Sequence, residues 1–289
     1  AWHAFRAEKR KNPFMRKETL QPTGVEKIYG DVRLYEALAR SYNLATVNLG
    51  LDVGIEPITR TMAAAGLRQP PRALPSLTLG ALDLSPFDVA QMYSTLATGG
   101  YRYPLTAIRE VTTVDGEPLS RYGMRVSRAL PEGPTYLTNW AMEQVMIFGT
   151  GRAAYNALSP MVRLAGKTGT TDGFRDAWFA GFSSDRVGVI WVGRDDNQPT
   201  GLSGSSGALP IWARTFARLN ARSFDPLMPP DVEMVLTDPE TGLRADDNCL
   251  NPMEIPYIVG YSPTEMAPCA TPAVPQGRGL TDWFRGLWQ

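Results

Sequence analysis

The spacing of apolar positions changes several times along the chain, and each change predicts an element. From Asp31, the residues Val32, Leu34, Tyr35, Leu38 and Ala39 recur at helical spacing. The run breaks at Ser41-Tyr42-Asn43, which puts a polar pair at a helix end or in a loop. Pro57 to Ala65 and Ser85 to Thr98 read as further short helices; Ser85-Pro86 supplies an N-cap and a first-turn proline, and Gly99-Gly100 the stop. Leu105 to Val114, the Asp115-Gly116 turn and Glu117 onward predict a small hairpin. Thr135 to Phe148 carries Tyr136, Leu137, Trp140, Met142, Val145 and Met146 on one broad face, as a core helix does, and Gly149 to Gly151 ends it.

The period then drops to two. Arg163 to Thr170, Ala177 to Phe182 and Arg186 to Val192 read as strands, the last two joined tightly through Ser183-Ser184-Asp185, which gives an antiparallel meander. A loop rich in Asp, Asn, Pro and Gly (Asp195 to Gly207) leads to a helix over Ala208 to Leu219 carrying Leu209, Ile211, Trp212 and Phe216. A helix laid across a sheet of hairpins predicts an α+β domain. Beyond Ser223 the prolines 226, 229 and 230 form a linker. Val232 to Thr237, the turn at 238–242 and Leu243 onward then suggest an appended hairpin. The division expected from the sequence is therefore a lead segment at 1–30, a main domain at 31–222 and an appendage at 223–289.

Charge narrows the function classes. The net charge is zero, which removes the broad basic field that nucleic-acid binding draws on, so no nucleic-acid partner is expected. No apolar run reaches the roughly 18 residues of a membrane span. Residues 1–30 hold seven basic and three acidic side chains with no apolar signal core, which reads as a solvated arm or a contact with an anionic surface.

Two scarce residue types restrict the chemistry. His3, almost at the terminus, is the one histidine, so His-based triads and His-rich metal sites have no second imidazole to draw on; no metal and no cofactor is expected. After Lys27 the chain uses 21 arginines and a single lysine, Lys167. An amine can lose its proton at a modestly depressed pKa where a guanidinium cannot, so this lysine is the leading candidate for acid–base work.

Lys167 lies in Arg163-Leu-Ala-Gly-Lys-Thr-Gly-Thr170. The end of this string matches a phosphate loop, but Met161 stands where the opening glycine belongs and a strand runs through the motif, so that reading fails. On an edge strand, Lys167 and Gly169 would face one way and Thr168 and Thr170 the other. Gly169 would admit a substrate backbone, while the hydroxyls and the ammonium would receive a carboxylate. Ser41 and Asn43 add a hydroxyl that can pass a proton and a carboxamide that can hold a substrate amide, two residues apart. Either string alone is weak; in this order they are two of the three elements S-x-x-K, S-D-N and K-T-G of serine acyl-transferases.

With Thr46-Val-Asn-Leu-Gly50, Leu79-Gly-Ala-Leu-Asp-Leu-Ser-Pro86, Gly149-Thr-Gly-Arg152, Asp176-Ala-Trp-Phe-Ala-Gly181 and Trp191-Val-Gly-Arg-Asp-Asp196, the chain resembles the transpeptidase half of class A penicillin-binding proteins of the Gram-negative 1b type. The resemblance implies the fold shared with serine β-lactamases and a serine-type D-Ala-D-Ala transpeptidase that forms an acyl-serine. Stem peptides and lipid II would be its substrates, β-lactams its inhibitors, and lipoprotein activators and the division or elongation machinery its partners. It also implies a glycosyltransferase and a membrane anchor elsewhere in the parent protein, at the periplasmic face of the inner membrane. Ser41 and Lys167 would be catalytic, and Asn43, Thr168, Gly169 and Thr170 would bind substrate. One element departs from the pattern: no serine has a lysine three positions on. As written the chain should form no acyl-enzyme; it is expected to be a piece of the transpeptidase, or one lacking the nucleophile segment, and the alternative is a catalytically silent binding module.

Cys249 and Cys269, twenty positions apart in a polar appendage without a partner histidine, read as one disulfide in an oxidising compartment or as two free thiols otherwise. At the C-terminus Trp283, Phe284, Leu287 and Trp288 share a helical face, to dock on the chain's own surface or on an interface.

Overall fold

The computed structural model describes residues 32–69 and 71–270. The basic lead segment and the aromatic tail lie outside the described residues. What is described divides into two compact units, one up to Asp231 and one from Val232. Phe224, just past the composition boundary at 222, belongs to the first unit. It is buried against Phe182, with ring centroids 4.9 Å apart, and its backbone N–H donates to the Arg163 carbonyl (2.8 Å).

The first unit opens with three helices, α1 (Leu34–Arg40), α2 (Asn43–Val53) and α3 (Ile55–Ala65), followed by α4 (Pro86–Ala97). The Ser85 side chain caps α4 by accepting from Asp88 N (3.1 Å), as the Ser-Pro pair predicts. Helix α2 is absent from the sequence reading, since Val47, Leu49, Leu51 and Val53 alternate as a strand would. Two small antiparallel ribbons follow, β1 (Tyr101–Arg102) with β4 (Ser127–Arg128) and β2 (Glu110–Thr112) with β3 (Pro118–Arg121). Helix α5 (Glu132–Ile147) is buried along most of its length.

The meander β5 (Ala165–Thr170), β6 (Ala177–Phe182) and β7 (Val187–Val192) forms a sheet in the order β5-β6-β7, antiparallel throughout, with Lys167 opposite Ala180 and Gly169 opposite Trp178. Strand β6 is central and apolar on both sides because both of its faces are covered. Phe179 meets Trp212 of α6 (Leu209–Arg218) edge-on at 4.8 Å. Phe182, of opposite parity, meets Phe224 and Tyr93 of α4. Phe179 and Trp212 are fully buried, and truncating either to Ala would cost about 3–5 kcal/mol. Strand β5 is left at the edge of the described sheet. The 195–207 segment is a loop only as far as Ser203; Gly204–Ala208 forms a wide helical turn, capped by the Ser203 and Ser206 side chains, that runs into α6.

In the second unit β8 (Val232–Thr237) pairs antiparallel with β9 (Met253–Ile258). This corrects the expected hairpin from Leu243 onward, where one bridge, Thr237 to Arg244, is all that forms on β8. The stretch after Leu243 is rich in Asp and Asn and lacks alternation, so the strand partner comes from the apolar 253–258 run. Cys249 and Cys269 are joined in a disulfide with Cα atoms 4.9 Å apart, packed with Ala267 and Ala270.

Candidate active site

Ser41 terminates α1 in a left-handed conformation (φ 59°, ψ 50°), with its N–H and that of Tyr42 donating to the Leu38 and Ala37 carbonyls. Glycine would be less strained there by about 1–2 kcal/mol, so a hydroxyl is held where the backbone does not favour one. Only Tyr42 separates it from α2, whose first residue is Asn43. The polar pair thus sits at helix ends, Ser41 closing α1 and Asn43 opening α2, both exposed.

Lys167 arrives from β5, 126 residues on, and its Nζ donates to Ser41 Oγ at 2.9 Å. The same nitrogen donates to the Thr168 carbonyl at 3.0 Å, so the side chain folds back along its own strand. Burial disfavours the ammonium and lowers the pKa from 10.5 to about 8. The amine's recorded partners are a hydroxyl and a carbonyl, with no carboxylate paired to it among the described residues. Such a group accommodates an anionic ligand.

Thr168 sets its Oγ1 2.7 Å from Thr150 Oγ1. Thr170 Oγ1 accepts from Gly204 N at 2.9 Å, which keeps its own proton free. Gly169 lies under the turn that begins at Gly204. A Cβ on Gly204 would come within 2.5 Å of the Gly169 and Trp178 carbonyl oxygens, so glycine alone permits that approach. Beyond Thr170 the β5–β6 connection is tied down by Asp176, which accepts from Thr171 Oγ1 (3.0 Å) and from Trp191 Nε1 (2.9 Å). Along the edge strand stand, in sequence, an ammonium on a serine hydroxyl and two further hydroxyls, one set against Thr150 and one accepting from Gly204 N.

The model of the family described as "Penicillin binding protein transpeptidase domain" matches residues 11–216. The chain belongs to this family. Among curated proteins it is 44% identical over 204 residues to penicillin-binding protein 1B of Escherichia coli, covering 70% of this chain and 24% of that protein. It is 45% identical over 195 residues to penicillin-binding protein 1B of Vibrio cholerae, covering 67% and 25%. The chain thus spans about a quarter of the length of these relatives. Among solved structures, penicillin-binding protein 1A from Haemophilus influenzae aligns over 86% of this chain and 44% of that one, with a TM-score of 0.76 at 20% identity, a likeness of fold. Penicillin-binding protein A from M. tuberculosis, solved as an imipenem acyl-enzyme complex, aligns over 66% and 49% with a TM-score of 0.55 at 26% identity. The α+β penicillin-binding fold expected from the strings around Ser41 and Lys167 is the fold found.

Ser41, Lys167, Thr168 and Thr170 fall on the elements where the sequence reading put them, and the structure brings the first two into contact. Thr150 stands in the resemblance string Gly149-Thr-Gly-Arg152, but the sequence assigns it no role. Its segment, Gly149 to Gly151, reads as a helix stop, and only the threonine between two glycines sets it apart. Among the described residues no three His, Cys, Asp or Glu side chains gather to hold a metal ion, and no helix is long and apolar enough to cross a membrane.

Proposed function

We propose that this penicillin-binding transpeptidase domain cross-links peptidoglycan by D,D-transpeptidation. The observation that carries the reading is the 2.9 Å contact between the Lys167 amine and the Ser41 hydroxyl, with burial lowering the amine's pKa to about 8. The terminal carboxylate of a D-Ala-D-Ala stem would lie along β5, received by Thr168 and Thr170 and by the Lys167 charge, with Gly169 leaving room for its backbone and Asn43 holding a substrate amide. As an attacking serine hydroxyl forms the acyl-serine ester and the peptide bond breaks, the departing D-Ala nitrogen takes the Ser41 proton, Ser41 regains one from the Lys167 ammonium, and the proton lost by the attacking hydroxyl restores that ammonium. Acyl transfer then passes the stem to a neighbouring stem's amine.

On this reading the acylated serine is supplied by an S-x-x-K segment that these 289 residues do not include. Lipid II and stem peptides are the substrates, β-lactams acylate the same serine, and the parent protein carries a glycosyltransferase and an anchor that hold it at the periplasmic face of the inner membrane. Lipoprotein activators and the division or elongation machinery are its protein partners. The missing S-x-x-K favours a second reading, a silent module that binds stem peptides without acylation. Fluorescent penicillin separates the two: covalent label on the full-length protein, mapped to one serine, supports the enzyme, whereas saturable but noncovalent binding supports the module.

A further inference from the structure

Ser41 and Lys167 come from parts of the chain 126 residues apart, and one segment touches both neighbourhoods. Directly after α5, the Thr150 N–H donates to the Ala39 carbonyl (3.1 Å), two residues before Ser41, while the Thr150 hydroxyl meets the Thr168 hydroxyl (2.7 Å), one residue after Lys167. Gly149 makes this possible. A Cβ there would overlap the Ala39 carbonyl oxygen and come within 2.8 Å of the Val145 Cα, backbone that cannot swing aside. On the far side the Gly151 N–H returns to the Val145 carbonyl (2.9 Å), fixing the segment at both ends.

Two hydroxyls 2.7 Å apart share one hydrogen between them, so either can be the donor. A carboxylate accepts only, so Thr168 can bind one solely by giving up its proton outward. It then needs a donor of its own, and Thr150 is the hydroxyl in place to supply it. We propose that Thr150 is a positioning residue. It donates to Thr168, aims the Thr168 proton into the cleft, and thereby sets the preference for substrates bearing a free carboxylate. This rests on the proposed reading of the cleft and deepens it from the ligand's charge to the hydrogen-bond polarity that selects it.

The test compares labelling of the full-length protein by benzylpenicillin with labelling by its methyl ester, in wild type and in Thr150→Val, Thr150→Ser and Thr150→Ala. The expected result is that Thr150→Val and Thr150→Ala lose about tenfold in the second-order rate with the free acid and little with the ester, collapsing the acid-to-ester ratio, while Thr150→Ser restores it. In a Thr168→Val background, Thr150→Ala should leave the ratio unchanged, since the effect passes through Thr168. A ratio that stays at the wild-type value in folded Thr150→Val or Thr150→Ala, or a loss that Thr150→Ser shares, overturns the inference while leaving the transpeptidase reading intact. If Thr150→Val does not fold, the alanine and serine variants decide by the same ratio. A wild-type protein that neither compound labels sinks the transpeptidase reading and this inference together.

Discussion

Lys167 rests its amine 2.9 Å from the Ser41 hydroxyl, and the lysine is held partly desolvated on an edge strand while the serine is held in a left-handed turn. Both conditions cost stability locally. A buried ammonium without a carboxylate partner gives up its proton more readily than a solvated lysine.

That environment sets a pH dependence. The proposed chemistry uses the protonated amine, so the second-order rate of penicillin labelling should fall as pH rises, with an apparent pKa near 8. A profile that rises through the same range would make the neutral amine the working form and reverse the assigned direction of proton flow.

The same shift bears on stability. An unfolded lysine titrates near 10.5 and Lys167 near 8, so between those values the unfolded chain binds more protons and stability rises with pH. Below 8 the full cost of the buried charge is present. Lys167→Met should therefore be more stable than wild type at pH 7 by on the order of 1–3 kcal/mol, discounted for the solvent that still reaches the side chain. A lower melting temperature for this variant at pH 7 would show that the hydrogen bonds to Ser41 and the Thr168 carbonyl outweigh desolvation.

Asn43 opens α2 with an exposed side chain, so its removal should leave the fold alone. Asn43→Ala is expected to lose about 2–4 kcal/mol of transition-state stabilisation, as removal of an active-site donor does, with an unchanged melting temperature. The reverse pattern, an unchanged rate with a lowered melting temperature, would make Asn43 a helix-start residue only.

Gly149→Ala places a methyl against backbone on two sides, so α1 and α5 must part. We expect a loss of at least about 2 kcal/mol in denaturant unfolding, together with slower labelling because Ser41 moves with α1. Full stability would mean that the segment yields and does not fix the distance between the Ser41 and Lys167 side chains.

Much of this site was legible in the sequence because its residues are unusual where they stand: one lysine after residue 27, and a Ser-x-Asn string at the break of a helical period. The meander was legible as well, since alternation and tight turns are local signals. What the sequence concealed depends on contacts between distant segments. Helix α2 alternates like a strand, yet it folds as a helix between α1 and α3. Strand β8 takes its partner from 253–258 past a polar insertion, which no turn signal announces. Thr150 reads as part of a helix stop until the structure sets its hydroxyl against Thr168.

The disulfide gives a local check on the second unit. Closing the loop between Cys249 and Cys269 is worth roughly 3 kcal/mol in the chain-entropy account, and it falls in a unit with little core. Cys249→Ser with Cys269→Ser should speed amide hydrogen exchange across 243–270 and leave β5–β7 protected. Alkylation of both thiols in freshly isolated native protein would contradict the bonded pair.

On the proposed reading, the Ser41–Lys167 contact belongs to a working transpeptidase cleft. Incubating the full-length protein with lipid II and measuring D-alanine release together with cross-linked muropeptide tests it most directly. The account predicts both products from wild type and neither from a folded Lys167→Ala variant. Cross-linking by Lys167→Ala at the wild-type rate, or none by wild type, would contradict it.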